Sequence, residues 1–483
     1  MRLAVIARVF GILLTVFSLT LLPPIGVSLW YEDGTHIAFS VAFGITILTG
    51  LFMWLPVHDL KQDLRTRDGF VVTSFFWLVL GSFGALPLII SPQPHLSTVD
   101  AIFESISGLT TTGATTIVGL DALPPAILYY RQQLQWFGGI GVIVIALAIL
   151  PMLGIGGMQL YKAETPGPVK DTKLTPRIAE TARALFVIYI ILTVCCTLGY
   201  WWAGMTLFDA ICHSYATVAN GGFSTHDASM GFYAHNHAIM VIAIIFMLTA
   251  GINFGLHFFA FSNRTLKHYW QDSEFRFYIW VTVIACLVIV GYLWGTGTFD
   301  LNSSILHGVF QVVSIGTTAG FGSENFSVWP AFLPYILLMV GIMGACAGST
   351  SGGIKSVRVM LIMKSGLREL NRLVHPNAVV PIKVNRKIVP ARVTDAVWGF
   401  FAVYILSFFV LTIAVMATGE NFVTAFSTVA SCLSNIGPGL GEASANYGSV
   451  NEVAKCFLIL AMLMGRLEIF TLLVLLTPAF WKH

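Results

Sequence analysis

Long apolar runs alternate with short polar breaks along the whole chain. A helix needs about 20 apolar residues to cross roughly 30 Å of hydrocarbon. By that length the pattern predicts spanning helices near 3–30, 36–56, 70–91, 126–152, 182–204, 233–261, 276–295, 328–375, 393–418 and 449–481. The eighth and tenth runs are long enough to be broken. Four shorter segments, near 98–116, 206–225, 304–323 and 421–441, predict half-depth hairpins, each a short pore helix and a loop. Each holds a polar tetrapeptide ending in glycine: TTTG at 110–113, ANGG at 219–222, TTAG at 317–320 and SNIG at 434–437. The final glycines lie 109, 98 and 117 residues apart. The pattern therefore predicts an all-α polytopic membrane protein with about ten transmembrane helices. Residues 1–60 form an N-terminal helix pair. Four helix–pore loop–helix repeats follow around one pore, at 61–155, 156–265, 266–378 and 379–483.

Composition supports the membrane reading. The 483 residues are 56% hydrophobic and only 10% charged, with mean hydropathy +0.81. Soluble domains carry about 25% charged residues. The first run is too long for a signal-peptide core and ends without an A-x-A site, so it reads as a retained helix. Seven cysteines without a CxxC spacing read as small buried apolar residues. The net charge of +3 reflects where the basic residues sit and does not point to nucleic acid.

Lys and Arg set the orientation. None occurs in 68–130, 184–263, 277–354 or 393–454, and every hairpin falls in one of these stretches. Basic residues collect instead at Lys61, Arg65 and Arg67, at Lys162, Lys170, Lys173 and Arg177, at Arg264 and Lys267, and from Lys355 to Arg392. The positive-inside rule makes these loops cytoplasmic and brings the hairpins in from outside. Arg2 and Arg8 place the N-terminus in the cytoplasm, and Lys482 the C-terminus. The outer loops are acidic, with Asp100, Glu104, Asp121, Asp209, Asp227, Asp300, Glu324, Glu420 and Glu442. A mouth of one sign concentrates ions of the other, here cations.

Non-helical backbone at membrane depth must line a cavity or be buried in protein. Four similar re-entrant loops around one axis meet that condition as an ion pore, with carbonyls replacing the ion's water shell. The candidate donors are Thr111, Thr112 and Gly113; Asn220, Gly221 and Gly222; Thr318, Ala319 and Gly320; and Asn435, Ile436 and Gly437. Asp100 and Asp209 each stand thirteen residues before a loop glycine, placed to cap the pore helices. Asp300 with Asn302, and Glu420 with Asn421, serve the other two repeats less regularly. The opposite helix ends then point partial negative charge at the axis.

Several segments carry a family resemblance. FESISGLTTTGAT at 103–115, SYATVANGGFST at 214–225, SIGTTAGF at 314–321 and SCLSNIGPGLG at 431–441 resemble the four pore loops of the Trk/Ktr/HKT potassium transporter superfamily. GACAGSTSGGIKS at 344–356 and MLMGRLEIF at 462–470 narrow the resemblance to the bacterial Trk-system membrane subunit. It covers essentially the whole chain. It implies potassium as the transported ion and uptake across the bacterial inner membrane. It also implies a homodimer, one pore per protomer, resting on a cytosolic ring of nucleotide-binding regulatory subunits. In this family glycine rather than serine in the first loop goes with potassium preference, and Gly113 fits.

Two features stand below the loops. The stretch 344–353, with Gly344, Gly348, Gly352 and Gly353, is too glycine-rich for a continuous helix. It is a candidate gate; the plainer alternative is a packing kink. Arg466 follows Lys455 by eleven residues, so a helix carries it roughly 16 Å deeper, near the bilayer centre. A charge there faces a cavity or a partner. Arg466 is expected to bind carbonyls of 344–353 and to oppose cations as a barrier or latch; a structural ion pair is the alternative. Arg131 and Lys455 each fall eighteen residues after a loop glycine, which suggests pairs with pore-helix acids such as Glu104. Neither a dinucleotide fingerprint nor a P-loop occurs, so no organic cofactor is expected and nucleotide control belongs to a partner. A symporter coupled to sodium or proton is the nearest rival reading. A membrane enzyme would need a catalytic set at depth, and the sequence offers none.

Overall fold

In a computed structural model the described residues are 3–59, 66–144, 177–330 and 332–481. Among the described residues the regular structure is helical apart from a small hairpin in which Lys383–Val384 pairs with Lys387–Ile388. Arg2, Lys61, Arg65, Lys162, Lys170, Lys173 and Lys482 lie outside the described residues.

Among the described residues, six helical stretches are long and apolar enough to cross a membrane: Leu3–Tyr31, His36–Val57, Arg67–Ile90, Ala182–Trp202, Ser273–Gly295 and Ala391–Met416. Their exposed large side chains, such as Phe52, Trp202, Leu287 and Ile413, are apolar and suit hydrocarbon. This is a multi-pass membrane protein. The N-terminal pair approaches closely because Gly11 and Gly50 lack side chains. A Cβ on Gly11 would lie 2.8 Å from Gly50 O, and one on Gly50 2.8 Å from Thr15 N.

Three of the expected runs are broken, the eighth and tenth as their length allowed and the sixth in addition. The run 233–261 is two helices, His237–Ala250 and Phe254–Asn263, meeting at 94°. Asn253 starts the second by accepting from Gly255 N at 2.7 Å. The run 449–481 breaks between Glu452–Arg466 and Phe470–Leu476 at 110°. Glu468 and Ile469, both at positive φ, form that corner. The run 328–375 divides into Leu333–Met343 and Ser356–Val374 around a non-helical loop. Ser356–Val374 mixes Lys364, Arg368, Glu369 and Arg372 with exposed Met363, Leu367, Leu370 and Leu373, so it is amphipathic rather than a span. Counting each bent pair as one span gives up to eight among the described residues. The expected helix at 126–152 is Pro125–Val144 as far as the described residues extend, and it buries Arg131, Gln132, Gln133 and Gln135.

Four short helices sit inside this frame: Thr98–Leu109, Leu207–Ala219, Leu301–Gly316 and Phe422–Ser434. They have 12, 13, 16 and 13 residues, so the third carries about one extra turn. Their N-caps are Ser97, Thr206, Asp300 and Asn421. Asp100 and Asp209 are therefore not caps. Each lies in the first turn and accepts from the cap hydroxyl, Ser97 Oγ at 3.0 Å and Thr206 Oγ1 at 2.7 Å, while its own N–H donates to that same hydroxyl. In the fourth repeat Asn421, not Glu420, is the cap; Glu420 accepts from Asn451 N at 2.9 Å.

Candidate functional site

Each short helix ends the same way. The residue two before the loop glycine is left-handed: Thr111, Asn220, Thr318 and Asn435 have φ of 52°, 51°, 58° and 53°. The next N–H turns back to a carbonyl five residues earlier. Thr112 N donates to Ser107 O, Gly221 N to Ala216 O, Ala319 N to Ser314 O and Ile436 N to Ser431 O, each at 2.8 Å. This is a Schellman ending, and it satisfies helix carbonyls that would otherwise be orphaned. Asn suits the left-handed position, whereas β-branched Thr111 and Thr318 are held there against their preference. Thr318 gains a partner for doing so, because its Oγ1 accepts from Gly352 N at 2.6 Å.

The glycines then close a ring. Gly113, Gly222, Gly320 and Gly437 have φ of 81°, 79°, 79° and 107°. A Cβ on Gly113 would collide with Gly221 O, one on Gly222 with Ala319 O and one on Gly320 with Ile436 O. A Cβ on Gly437 would lie 2.8 Å from Thr112 O. Each glycine thus abuts the carbonyl preceding the next glycine, one through four and back to one. Both the backbone hand and the close approach require glycine here.

The four glycines floor a vestibule of about 400 Å³, whose wall includes Asp227 and Glu324. Arg131 and His226 also line it. Arg131 is fully engaged: its Nε lies 2.7 Å from Glu104 Oε1, and it donates to Ser224 O and Thr115 Oγ1, both at 3.1 Å. Glu104 in turn accepts from Thr116 N at 2.9 Å. The pair ties the first loop to the second. Lys455 pairs with Asp100 at 2.7 Å and so joins the last repeat to the first pore helix. Both cations bind acids of the same pore helix, consistent with the scaffold reading of their matched spacing. His226 bridges Asp121, at 2.6 Å, and Asp209, at 3.8 Å. Burial opposes its charged form, but the hydrogen bonds to Asp209 and Asp121 outweigh burial and raise its pKa above the usual imidazole value.

On the opposite face of the ring lies the loop 344–355. It touches three of the four loop segments of the ring. Gly352 N donates to Thr318 Oγ1, and Gly353 N donates to Ser434 O at 2.8 Å. Asn220 Nδ2 donates to Thr350 Oγ1 at 3.2 Å and Ser351 Oγ at 3.1 Å. Gly344, Gly348 and Gly353 have positive φ, and a Cβ on Gly352 would collide with Ser434 O. The far end of the loop is held by Glu274, which accepts from Ala347 N at 2.6 Å and Val357 N at 3.2 Å.

Arg466 is buried beside this loop. Its Nη1 donates to Thr350 O at 3.2 Å and its Nη2 to Gly138 O at 3.1 Å, while its Nε has no partner. No carboxylate pairs with it among the described residues. Glu468 goes instead to Arg358, at 2.6 Å. Lys355 donates to Ser351 O. A small chamber of about 40 Å³ is lined by Lys355, Arg358, Arg466, Glu468 and Asn435.

Sequence reasoning missed Gln135 and Glu274, which hold the second loop of the ring and the glycine loop. The signal was present in both cases: a run of glutamines inside an apolar helix, and a second acid, Glu274, just after the cap Asp272 at a helix start.

The arrangement defines a class, a multi-pass helical membrane protein whose four re-entrant hairpins meet in one ring between a vestibule and a loop-capped chamber. The chain belongs to the TrkH family: the model of that family, described as a cation transport protein, matches residues 35–482. It is 54% identical over 482 residues to the Trk system potassium uptake protein TrkH of Halomonas elongata, with all of both chains covered. Identity to the protein of the same description from Escherichia coli K12 is 52% over 484 residues, again with full coverage. The crystal structure of the potassium transporter TrkH from Vibrio parahaemolyticus superposes with a TM-score of 0.93 at 50% identity, covering both chains completely.

Proposed function

We propose that this chain takes up potassium across the bacterial inner membrane through a carbonyl-lined filter at Thr111–Gly113, Asn220–Gly222, Thr318–Gly320 and Asn435–Gly437. The observation that carries the reading is the closed ring, in which each loop glycine abuts the carbonyl before the next. Relatives described as potassium uptake proteins over their full length support the choice of ion. An ion entering the vestibule would exchange water for carbonyls, with the pore-helix ends adding negative potential. It would then reach the chamber closed by 344–353 and Arg466, where a fixed positive charge raises the barrier to a cation. The repeats 61–155, 156–265, 266–378 and 379–483, each holding one loop of the ring, are the units of this pore. The resemblance to the Trk system supports a homodimer in lipid controlled by a cytosolic nucleotide-binding ring, with both termini cytoplasmic.

The test is radioactive rubidium flux into liposomes holding the purified protein, with sodium as competitor. Gly113→Ser should weaken rubidium-over-sodium discrimination, because a side chain there displaces Gly221 O. An unchanged ratio in folded protein removes Gly113 from the filter. Flux driven by an opposing sodium or proton gradient would favour the coupled symporter instead.

A further inference from the structure

The filter loop of the second repeat is held by a side chain of the first. Gln135 lies on Pro125–Val144 and is fully buried. Its Nε2 donates to Gly221 O at 2.5 Å, and its Oε1 accepts from Phe223 N at 3.1 Å. Only this amide orientation gives the carbonyl a donor and the N–H an acceptor. One side chain therefore brackets Gly222 from both neighbours. Gly221 makes room for it: a Cβ there would lie 2.5 Å from both Cδ and Oε1 of Gln135. The corresponding positions in the other loops carry side chains, Thr112, Ala319 and Ile436. Among the described residues, Gly221 O is the one of these four carbonyls that receives a side-chain N–H.

We propose that Gln135 is a specificity-determining residue of the filter, setting the position and strength of the Gly221 carbonyl. The proposal rests on the filter reading above. A carbonyl oxygen has two lone pairs. Gln135 occupies one, which leaves the other for an ion and weakens the field it offers. Discrimination between ions of equal charge depends on cavity size and on the number and field strength of the carbonyls. The second bond, to Phe223 N, stops the amide from rotating away. The same oxygen abuts Gly113, so its placement also sets the contact between the first and second loops.

Gln135→Met keeps the length of the side chain and removes both hydrogen bonds. Rubidium flux by the full-length protein in liposomes, with sodium as competitor, reads the effect. Discrimination should fall about tenfold, the scale of one lost buried hydrogen bond, while maximal rubidium flux changes less. A residue that only packs would alter the yield of folded protein and leave the ratio alone. An unchanged ratio in folded Gln135→Met therefore overturns the proposal. Gly113→Ser measured beside it separates the two failures: if Gly113→Ser shifts the ratio and Gln135→Met does not, Gln135 alone is wrongly assigned. If neither shifts it, the filter reading falls as well. Should Gln135→Met not fold, Gly221→Ala supplies the same readout. It pushes the amide off the carbonyl with Gln135 still present, and an unchanged ratio there also overturns the proposal.

Discussion

The guanidinium of Arg466 donates to the carbonyl of Thr350 at 3.2 Å. Its other Nη reaches Gly138 O, so one cation joins the glycine loop to Pro125–Val144. A buried charge that binds carbonyls rather than a carboxylate keeps its field. That uncompensated field is what the proposed barrier to cations rests on.

Arg466→Ala should raise rubidium flux in the absence of any regulatory partner, by about tenfold for each 1.4 kcal/mol removed from the barrier. Shortening 344–353 should act in the same direction. The double variant should fall short of the product of the single effects, because both changes lower one barrier. Liposome flux of the three proteins decides it. Lower flux from folded Arg466→Ala would make Arg466 a structural support instead.

Gly222→Ala should be poorly tolerated, while Gly291→Ala should be neutral. The first adds a Cβ against Ala319 O at φ 79°, and the second points into open space. The left-handed backbone alone costs about 1–2 kcal/mol. Thermal midpoints of detergent-purified protein, measured by fluorescence-detected gel filtration, should separate the two. Equal midpoints would contradict the ring geometry.

Arg131→Met should destabilise the protein by about 3–5 kcal/mol, because it leaves Glu104 charged and buried. Both side chains of the pair are essentially inaccessible, at 1% and 0% exposure. Arg131→Met combined with Glu104→Gln should recover part of the loss. Midpoints of the single and double variants form the cycle, and strictly additive losses would show that the pair is not coupled.

His226 predicts a pH dependence at the vestibule. Its folded pKa is raised, so its stabilisation is fully present below the unfolded value of about 6.5 and is lost as pH rises through the folded value. Burial pulls the other way, and the groups that face the ring are Asp121, Asp209, His213, Phe232 and Tyr233. The thermal midpoint should decline between about pH 6 and 8, and His226→Gln should flatten that decline. A wild-type profile matched by His226→Gln would exclude His226 as its source.

Orientation is checked by impermeant thiol labelling in a background stripped of native cysteines, since Cys195 and Cys456 are exposed. A cysteine at the exposed position Glu442 should label from the periplasm, and one at exposed Asn377 only after the membrane is opened. Periplasmic labelling at position 377 would reverse the topology.

Membrane class, the four hairpins and their glycines were legible in the chain because each rests on a local property. Run length measures a span, and glycine marks a backbone hand or a close approach. The corners at 251–253 and 467–469 were less legible, because a bent helix keeps the apolar composition of a straight one. Asp100 and Asp209 were misread as caps because spacing does not separate a cap from the acid three residues after it.

What the tertiary structure alone decided was partnership. Gln135 reaches a carbonyl 86 residues away, and Arg466 spans from Thr350 to Gly138. Arg466 was expected as a central charge bound to carbonyls of 344–353, and Thr350 O is one of these; its second acceptor, Gly138 O, was not foreseen, because every residue carries a backbone carbonyl and no side-chain identity reveals which one is used. The ring likewise joins successive loops roughly a hundred residues apart, and its closure sets Asn435 on Thr112, 323 residues away. The chain's local pattern determined four similar hairpins. Only their packing around one axis put each glycine against its neighbour's carbonyl.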